Sequence, residues 1–136
     1  MMKPLVFPAF RSDGKAVRLV ELLAVIPQND LVWSILEFDG LGDAPCGLSM
    51  EDFEGLVREK AGGFMVSWNE LKLLSCGFLQ EINCMVVGAK AETDILSTTE
   101  DDFSFCEVVL NLFDSTEWSV WARDTDVMKR FAVFYC

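Results

Sequence analysis

The carboxylates between Ala91 and Asp126 are the side chains of this sequence with the most chemistry to offer. The segment holds ten carboxylates and one cation, Arg123, so it carries −9 of the chain's net charge of −11. The ten are Glu92, Asp94, Glu100, Asp101, Asp102, Glu107, Asp114, Glu117, Asp124 and Asp126. Clustered carboxylates can act as acid and base, bind a divalent cation, or attract a basic protein surface.

Neither catalysis nor metal binding is specified by the pattern of these residues. The chain has no histidine, which is the commonest general base and the commonest transition-metal ligand. The spacing of Asp114 and Glu117 does not single out glycoside hydrolysis. The run Glu100-Asp101-Asp102 lacks the alternating ligands and the glycine turn of a calcium loop. We therefore expect no catalytic residue, no metal and no cofactor.

A strong negative field favours a basic protein partner and disfavours nucleic acid or an anionic membrane. Trp121 alternates with Trp118 on a predicted strand, so one of the two can be an exposed anchor among the acids. Alternatively, helices cover both faces and both tryptophans are core, and the acidic loop is a solvated surface. The candidate partner-binding residues are Asp39, Asp43, Glu100, Asp101, Asp102, Asp114, Glu117, Trp121, Asp124 and Asp126.

The glycine-containing segment 39–47 is a second place to look for a ligand. A glycine loop between a strand and a helix can cradle phosphate at the start of the helix. Here the segment contains Asp39 and Asp43 and no lysine or arginine, and it lacks the P-loop and dinucleotide-binding spacings. It therefore reads as a tight connection over Gly40–Gly47.

The surrounding pattern predicts four helices and four strands. Capping boxes at Ser49 and Ser67 begin two of the helices. The others are predicted over 16–26, capped by Ser12 or Asp13, and after Asp124 or Thr125. A buried strand is the competing prediction for 16–26, because β-branched residues are frequent there. Strands are predicted over 31–38, 79–88, 104–113 and 117–123, the last two forming a hairpin. This order predicts one α+β domain over 1–136, with a mostly antiparallel sheet of about four strands and packed helices.

Three details of this prediction concern single segments. Alternation in 79–88 places Glu81 on the face opposite Cys84. The acidic stretch 91–102 reads as a loop. In the last helix, Phe131 and Phe134 are expected to point inward.

Composition and cysteine usage indicate a folded cytoplasmic protein. The chain is 51% hydrophobic, which excludes disorder of the whole chain, and no apolar run reaches the length of a membrane span. The N-terminus lacks the apolar core of a signal peptide. The five cysteines are odd in number and form no C-x-x-C pair, so we expect mostly buried thiols. The high net charge opposes self-association and favours a monomer, whereas the high hydrophobicity leaves a homodimer that buries part of the sheet or residues 131–136 as the alternative.

Parts of the sequence resemble small bacterial immunity proteins of polymorphic toxin and contact-dependent growth inhibition systems. The resemblance lies in 32–40 (VWSILEFDG), in 47–54 (GLSMEDFE) and in the ending 113–124 (FDSTEWSVWARD). It implies a non-enzymatic protein that binds one cognate toxin domain, often a cationic nuclease, and occludes its active site or substrate surface. The sequence leaves two other hypotheses open: an adaptor or structural subunit that binds a basic partner, and a small-ligand-binding domain.

Overall fold

One antiparallel sheet of six strands forms the centre of the structure, a computed structural model that describes residues 3–99 and 101–135. The strands are β1 (Leu5–Pro8), β2 (Val32–Gly42), β3 (Phe64–Ser67), β4 (Phe78–Ala89), β5 (Val108–Phe113) and β6 (Glu117–Ala122). The helices are α1 (Leu19–Val25), α2 (Met50–Glu59), α3 (Trp68–Ser75), α4 (Glu92–Leu96) and α5 (Thr125–Tyr135), with a short 3-10 turn over Pro45–Gly47. The strands lie side by side in the order β1-β6-β5-β4-β2-β3.

The predicted α+β class and the single antiparallel sheet are confirmed, but the prediction of about four strands is wrong. The two missed strands, β1 and β3, have four residues each and lie at the two edges of the sheet. An edge strand pairs on one side only, so a segment of four residues can join the sheet there by bonding to a single neighbouring strand. The residue pattern within so short a segment does not reveal that neighbour.

Local capping signals fix the helices α2 and α3 as the sequence predicts. The Ser49 hydroxyl accepts from the N–H of Asp52 at 3.1 Å. At α3, Ser67 and Glu70 form a reciprocal box: the Ser67 hydroxyl accepts from the Glu70 N–H at 3.2 Å, and Glu70 accepts from the Ser67 N–H at 2.8 Å. The single cap at Ser49 and the reciprocal box at Ser67 both satisfy N–H donors that the first helical turn leaves free.

The two faces of the sheet are covered very unequally. Helices α1, α2, α3 and α5 pack on one side, called here the packed face, around the fully buried Trp33, Phe53 and Trp118. Among the described residues, the other side, called here the open face, carries α4 and the segment 97–107, which is described over 97–99 and 101–107. Its buried cluster is Val87, Ala89, Ile95, Cys106 and Val109. Part of the open face is therefore left uncovered.

A β-bulge at Ile82 overturns the predicted orientation of Glu81. Asp39 pairs with Asn83, while the next residue of β2, Gly40, pairs with Glu81, so Ile82 is the extra residue. The bulge places Glu81 on the packed face with Cys84, where Glu81 is 5% exposed. Its Oε1 accepts from the N–H of Leu19 at 2.9 Å, so α1 begins on a carboxylate from β4 rather than on the expected Ser12 or Asp13.

Burial of Glu81 has an electrostatic cost that its neighbours only partly offset. Desolvation raises the pKa of this carboxyl, against the hydrogen bond from Leu19 and the positive charge of Arg18. Its Oε2 has no hydrogen-bond partner among the described residues. Glu81 therefore folds as a carboxyl that resists ionisation.

Other boundaries also differ from the prediction. The segment 40–42, predicted as loop, extends β2, and β5 begins at Val108 rather than at 104. The acidic stretch 91–102 contains α4, whose Ile95 is buried on the open face. On α5, Phe131 points inward as expected, whereas Phe134 is 69% exposed.

The described cysteines divide equally between core and surface. Cys84 and Cys106 are buried, while Cys46 and Cys76 are exposed, and all four are free thiols. The expectation of mostly buried thiols therefore holds for only half of them. No helix in the described ranges is long and apolar enough to cross a membrane.

Candidate protein-binding face

The uncovered part of the open face presents acidic and apolar side chains side by side. Strand pairing aligns Pro8, Glu117 and Phe113 in one row, which continues across β4 to Asn83 and Asp39. With strands about 4.8 Å apart, Glu117 and Asp39 lie three strand spacings, or about 14 Å, from each other. Phe113 stands between them and is 68% exposed.

A second row runs parallel to the first, two residues further along each strand. It consists of Val6, Ser119, Asn111, Met85 and Glu37, again in register across five strands. Val6 is 50% exposed and Glu37 is exposed. The two rows lie about 7 Å apart, so acids stand near both ends of an apolar and polar surface.

The hairpin turn is tied to this face through one amide side chain. The Asn83 carbonyl oxygen accepts from the N–H of Asp114 at 2.8 Å. Its amide nitrogen donates to Oδ2 of Asp39 at 3.4 Å. Asp114 and the next residue, Ser115, have φ of 48° and 56°, the left-handed geometry of a tight hairpin. Asn83 thus fixes Asp114 beside Asp39.

The segment 97–107 overhangs the face and forms a groove with it. One part of the groove is a cleft of about 460 Å³. Its walls are Leu36, Glu37, Met85, Thr98, Thr99 and Phe103. The other part is a cleft of about 160 Å³ that also contacts Met85 and Phe103 and reaches Trp121. Asp101 and Asp102 lie in the turn that leads into Phe103. Glu37, Asp101 and Asp102 therefore lie around the groove, and the Met85 thioether lines both of its parts.

Arg123, the one cation of the acidic segment, holds this overhang in place. Its Nε donates to the Glu107 carboxylate at 2.9 Å. The guanidinium also donates to the carbonyl oxygens of Ser104 and Cys106, at 2.7 and 2.9 Å. The same guanidinium lies 5.3 Å from the centre of the Trp121 ring. The Arg123 guanidinium is therefore engaged in contacts within the protein.

Two pKa shifts report how the overhang is built. Hydrogen bonds from Ser104 lower the pKa of Asp102 and favour its charged form. Burial raises the pKa of the Cys106 thiol, although a contact with the Thr98 hydroxyl at 3.3 Å opposes the shift. The acid therefore stays ionised at the rim, and the thiol beneath it stays protonated.

The structure brings most of the sequence-predicted residues to the open face. Five carboxylates and one aromatic lie on it or on its overhang: Asp39, Asp101, Asp102, Asp114, Glu117 and Trp121. Trp118 belongs to the core, while Trp121 is half-buried beneath Arg123 on the open face. The pattern of one tryptophan in and one out is thus realised, with the outer one partly covered.

Three predicted residues lie elsewhere, and one cannot be placed. Asp43 follows β2 and lines a different cleft, beside β3 and α3. Asp124 and Asp126 begin α5, which packs on the other side of the sheet; Asp124 Oδ1 accepts from the N–H of Asp126 at 2.8 Å and serves as a cap. Glu100 lies outside the described residues.

The sequence reading missed the apolar part of this face. Phe113, Leu41 and Val6 are all more than 45% exposed and share the face with the acids. Alternation in 108–113 already separates Phe113 from Leu110 and Leu112, so its outward position was available as a signal. Val6 and Leu41 carried no such signal, because their strands extend beyond the predicted ones.

Metal ligation finds no support in the described ranges: no group of three or more carboxylates and thiols is arranged to hold an ion.

Comparison with known protein families, with characterised proteins and with solved structures found no match to this chain.

Proposed function

We propose that this chain is an immunity protein that binds a cationic toxin domain through the open face and neutralises it without catalysis. The observation that carries the proposal is Phe113, a large aromatic side chain exposed between the carboxylates of Asp39 and Glu117. An apolar centre with a charged rim is the arrangement of a protein-binding hot spot.

Charge and apolar contact have separate roles in this mechanism. The carboxylates attract a surface that has evolved for phosphate, and they speed the encounter with it. Phe113, with Leu41 nearby on β2, then loses water against the partner and slows dissociation. A domain seated on the sheet in this way occludes the toxin's substrate groove by volume alone, so no chemistry is required of the chain.

The proposal includes a location and a stoichiometry. The protein acts as a monomer in the bacterial cytoplasm, where an incoming nuclease-type toxin would reach its substrate. Its partner is a protein surface rather than nucleic acid, because the −11 net charge repels a phosphate backbone.

The test is binding to the basic toxin domain encoded beside this gene, measured by biolayer interferometry at 50 and 300 mM salt. We expect Glu117→Lys and Asp39→Lys each to slow association about tenfold at 50 mM salt, and less at 300 mM. Phe113→Ala should raise the dissociation rate by at least 30-fold, the effect of losing about 2 kcal/mol.

A matched control is Glu59→Lys, the same charge reversal at an exposed position on α2 that lies on the other side of the molecule. It should slow association much less than Glu117→Lys does and leave dissociation unchanged. If Glu59→Lys and Glu117→Lys slow association equally and Phe113→Ala has no effect, the open face is not the binding site. If no neighbouring gene encodes a basic protein that binds, the adaptor hypothesis replaces the toxin hypothesis.

A further inference from the structure

We propose that the free edge of β3 accepts an extended, basic segment of a partner protein as a seventh strand. This site is separate from the open face, and the inference does not depend on the partner's being a toxin. It is supported by the direction of the β3 main chain, by the cleft beside it and by the charge around that cleft.

The main-chain groups of Met65 point away from the sheet. The N–H of Ser67 donates to Glu70, and the carbonyl of Gly88 accepts from Glu107 on the β5 side. Because Gly88 faces β5, its partner Trp33 has no main-chain bond to β4 and faces β3 instead. Because Ser67 faces away from β2, its neighbour Val66 faces β2. Trp33 and Val66 are therefore the pair that exchanges hydrogen bonds between β2 and β3. Met65, one residue away, therefore directs its N–H and C=O to the free edge, where the described residues offer them no partner.

A cleft of about 460 Å³ lies along this edge. Residues 64–66 of β3 form one wall, α3 forms a second through Leu73 and Leu74, and the turn over 43–46 forms a third. Leu73 is 77% exposed. An added strand would find main-chain partners on one side and apolar contacts for alternate side chains below, as in strand-addition complexes.

The charge at the cleft selects a basic occupant. Asp43 and Glu70 are the carboxylates among the residues that line it, and both are exposed; lysine and arginine do not occur in the lining. A second copy of this chain would bring two more carboxylates and a net charge of −11 to the same edge, which opposes pairing of the two edges. An extended segment that alternates apolar residues with lysine or arginine satisfies all three features.

The experiment uses the full chain and an acetylated, amidated octapeptide of alternating valine and lysine, at 150 mM salt. Amide hydrogen exchange followed by NMR should show the Met65 N–H exchanging freely without peptide and protected at least tenfold with it. The N–H of Val66, already bonded to β2, should change little. A Met65 amide that stays unprotected at saturating peptide would overturn the proposal.

Two matched pairs separate strand addition from charge attraction alone. N-methylation of two adjacent central residues blocks both edges of the peptide at equal charge, and should abolish binding. Leu73→Arg should weaken binding at least tenfold, whereas Val133→Arg, equally exposed on α5 at 81%, should change it less than twofold. Equal binding within either pair would contradict the proposal. So would a dimer of the protein alone that Leu73→Arg dissociates, because a second copy would then occupy the edge.

Discussion

Replacing Arg123 with alanine should release the segment 97–107 from the open face while the rest of the fold stays intact. Arg123 joins this segment to β6 through the Glu107 carboxylate and through the carbonyl oxygens of Ser104 and Cys106. The main-chain bond from the Arg123 N–H to the Glu107 carbonyl, at 2.8 Å, survives the substitution. The loss is therefore local to the side chain.

The size of the effect follows from the four contacts. The ion pair to Glu107 is half-exposed and contributes about 0.5 kcal/mol. Two hydrogen bonds to carbonyls add about 1 kcal/mol each, and the contact with the Trp121 ring adds about 0.5 kcal/mol. Because one side chain makes all of them, they are not independent, and we expect about 2–3 kcal/mol in total.

Cys106 reports the opening directly, because it belongs to the released segment and its thiol is buried while that segment is closed. Labelling by a thiol reagent, mapped by mass spectrometry, should become about 30- to 150-fold faster in Arg123→Ala, since each 1.4 kcal/mol is a factor of ten in the opening equilibrium. Cys84 in β4 is the internal control: it is fully buried and reacts only when the whole domain unfolds. Arg123→Lys, which keeps the charge but not the fork, should fall between the two proteins.

The reasoning fails if Cys106 and Cys84 accelerate by the same factor, because the effect would then be global unfolding. It also fails if Arg123→Ala leaves Cys106 labelling unchanged, because the four contacts would then contribute nothing to holding the segment.

Three further predictions concern stability measured by denaturant unfolding. Glu81→Gln should gain stability relative to the parent protein as pH rises from 4 to 7. Burial raises the pKa of Glu81 above its usual 4.5, so the parent's free energy of unfolding falls as that carboxyl is forced to ionise. A stability difference that does not change with pH would contradict this. Gly63→Ala should cost about 3 kcal/mol, because φ is +77° and a Cβ would meet the Ile35 carbonyl; Gly14→Ala, at φ +84° in open space, should cost only about 1 kcal/mol, and equal losses would refute the steric argument. Ser67→Ala should cost about 1 kcal/mol by removing the cap of α3, and a loss under 0.3 kcal/mol would show that packing alone starts the helix.

Features that depend on adjacent residues could be predicted from the sequence. The caps at Ser49 and Ser67 and the hairpin over 113–117 require only neighbours in the chain, and the structure has them where the pattern places them. The α+β class follows from the same local signals. The strands β1 and β3 could not be predicted, because each exists through hydrogen bonds to one distant partner.

The candidate site shows the same limit. Alternation assigns residues to faces only while the register is regular, so the bulge at Ile82 reversed the expected position of Glu81. Closeness in sequence also overstated the continuity of the acids: Asp114 and Asp124 lie at opposite ends of β6, about 20 Å of strand apart. The link from Asp39 to Asp114 through Asn83 joins residues 75 positions apart, and no local signal announces it.

The position of β1 at the edge beside β6 has a consequence for synthesis of the protein. Leu5 pairs with Val120, which the ribosome adds 115 residues later, and at cellular rates of elongation this takes roughly 6 to 23 s. Tyr135 stacks on Phe7 later still, with ring centres 4.7 Å apart. β1 is thus made long before the strand on which it docks. Until β6 is made, β1 has no strand to pair with, so each nascent molecule passes through an interval in which aggregation competes with completion of the sheet.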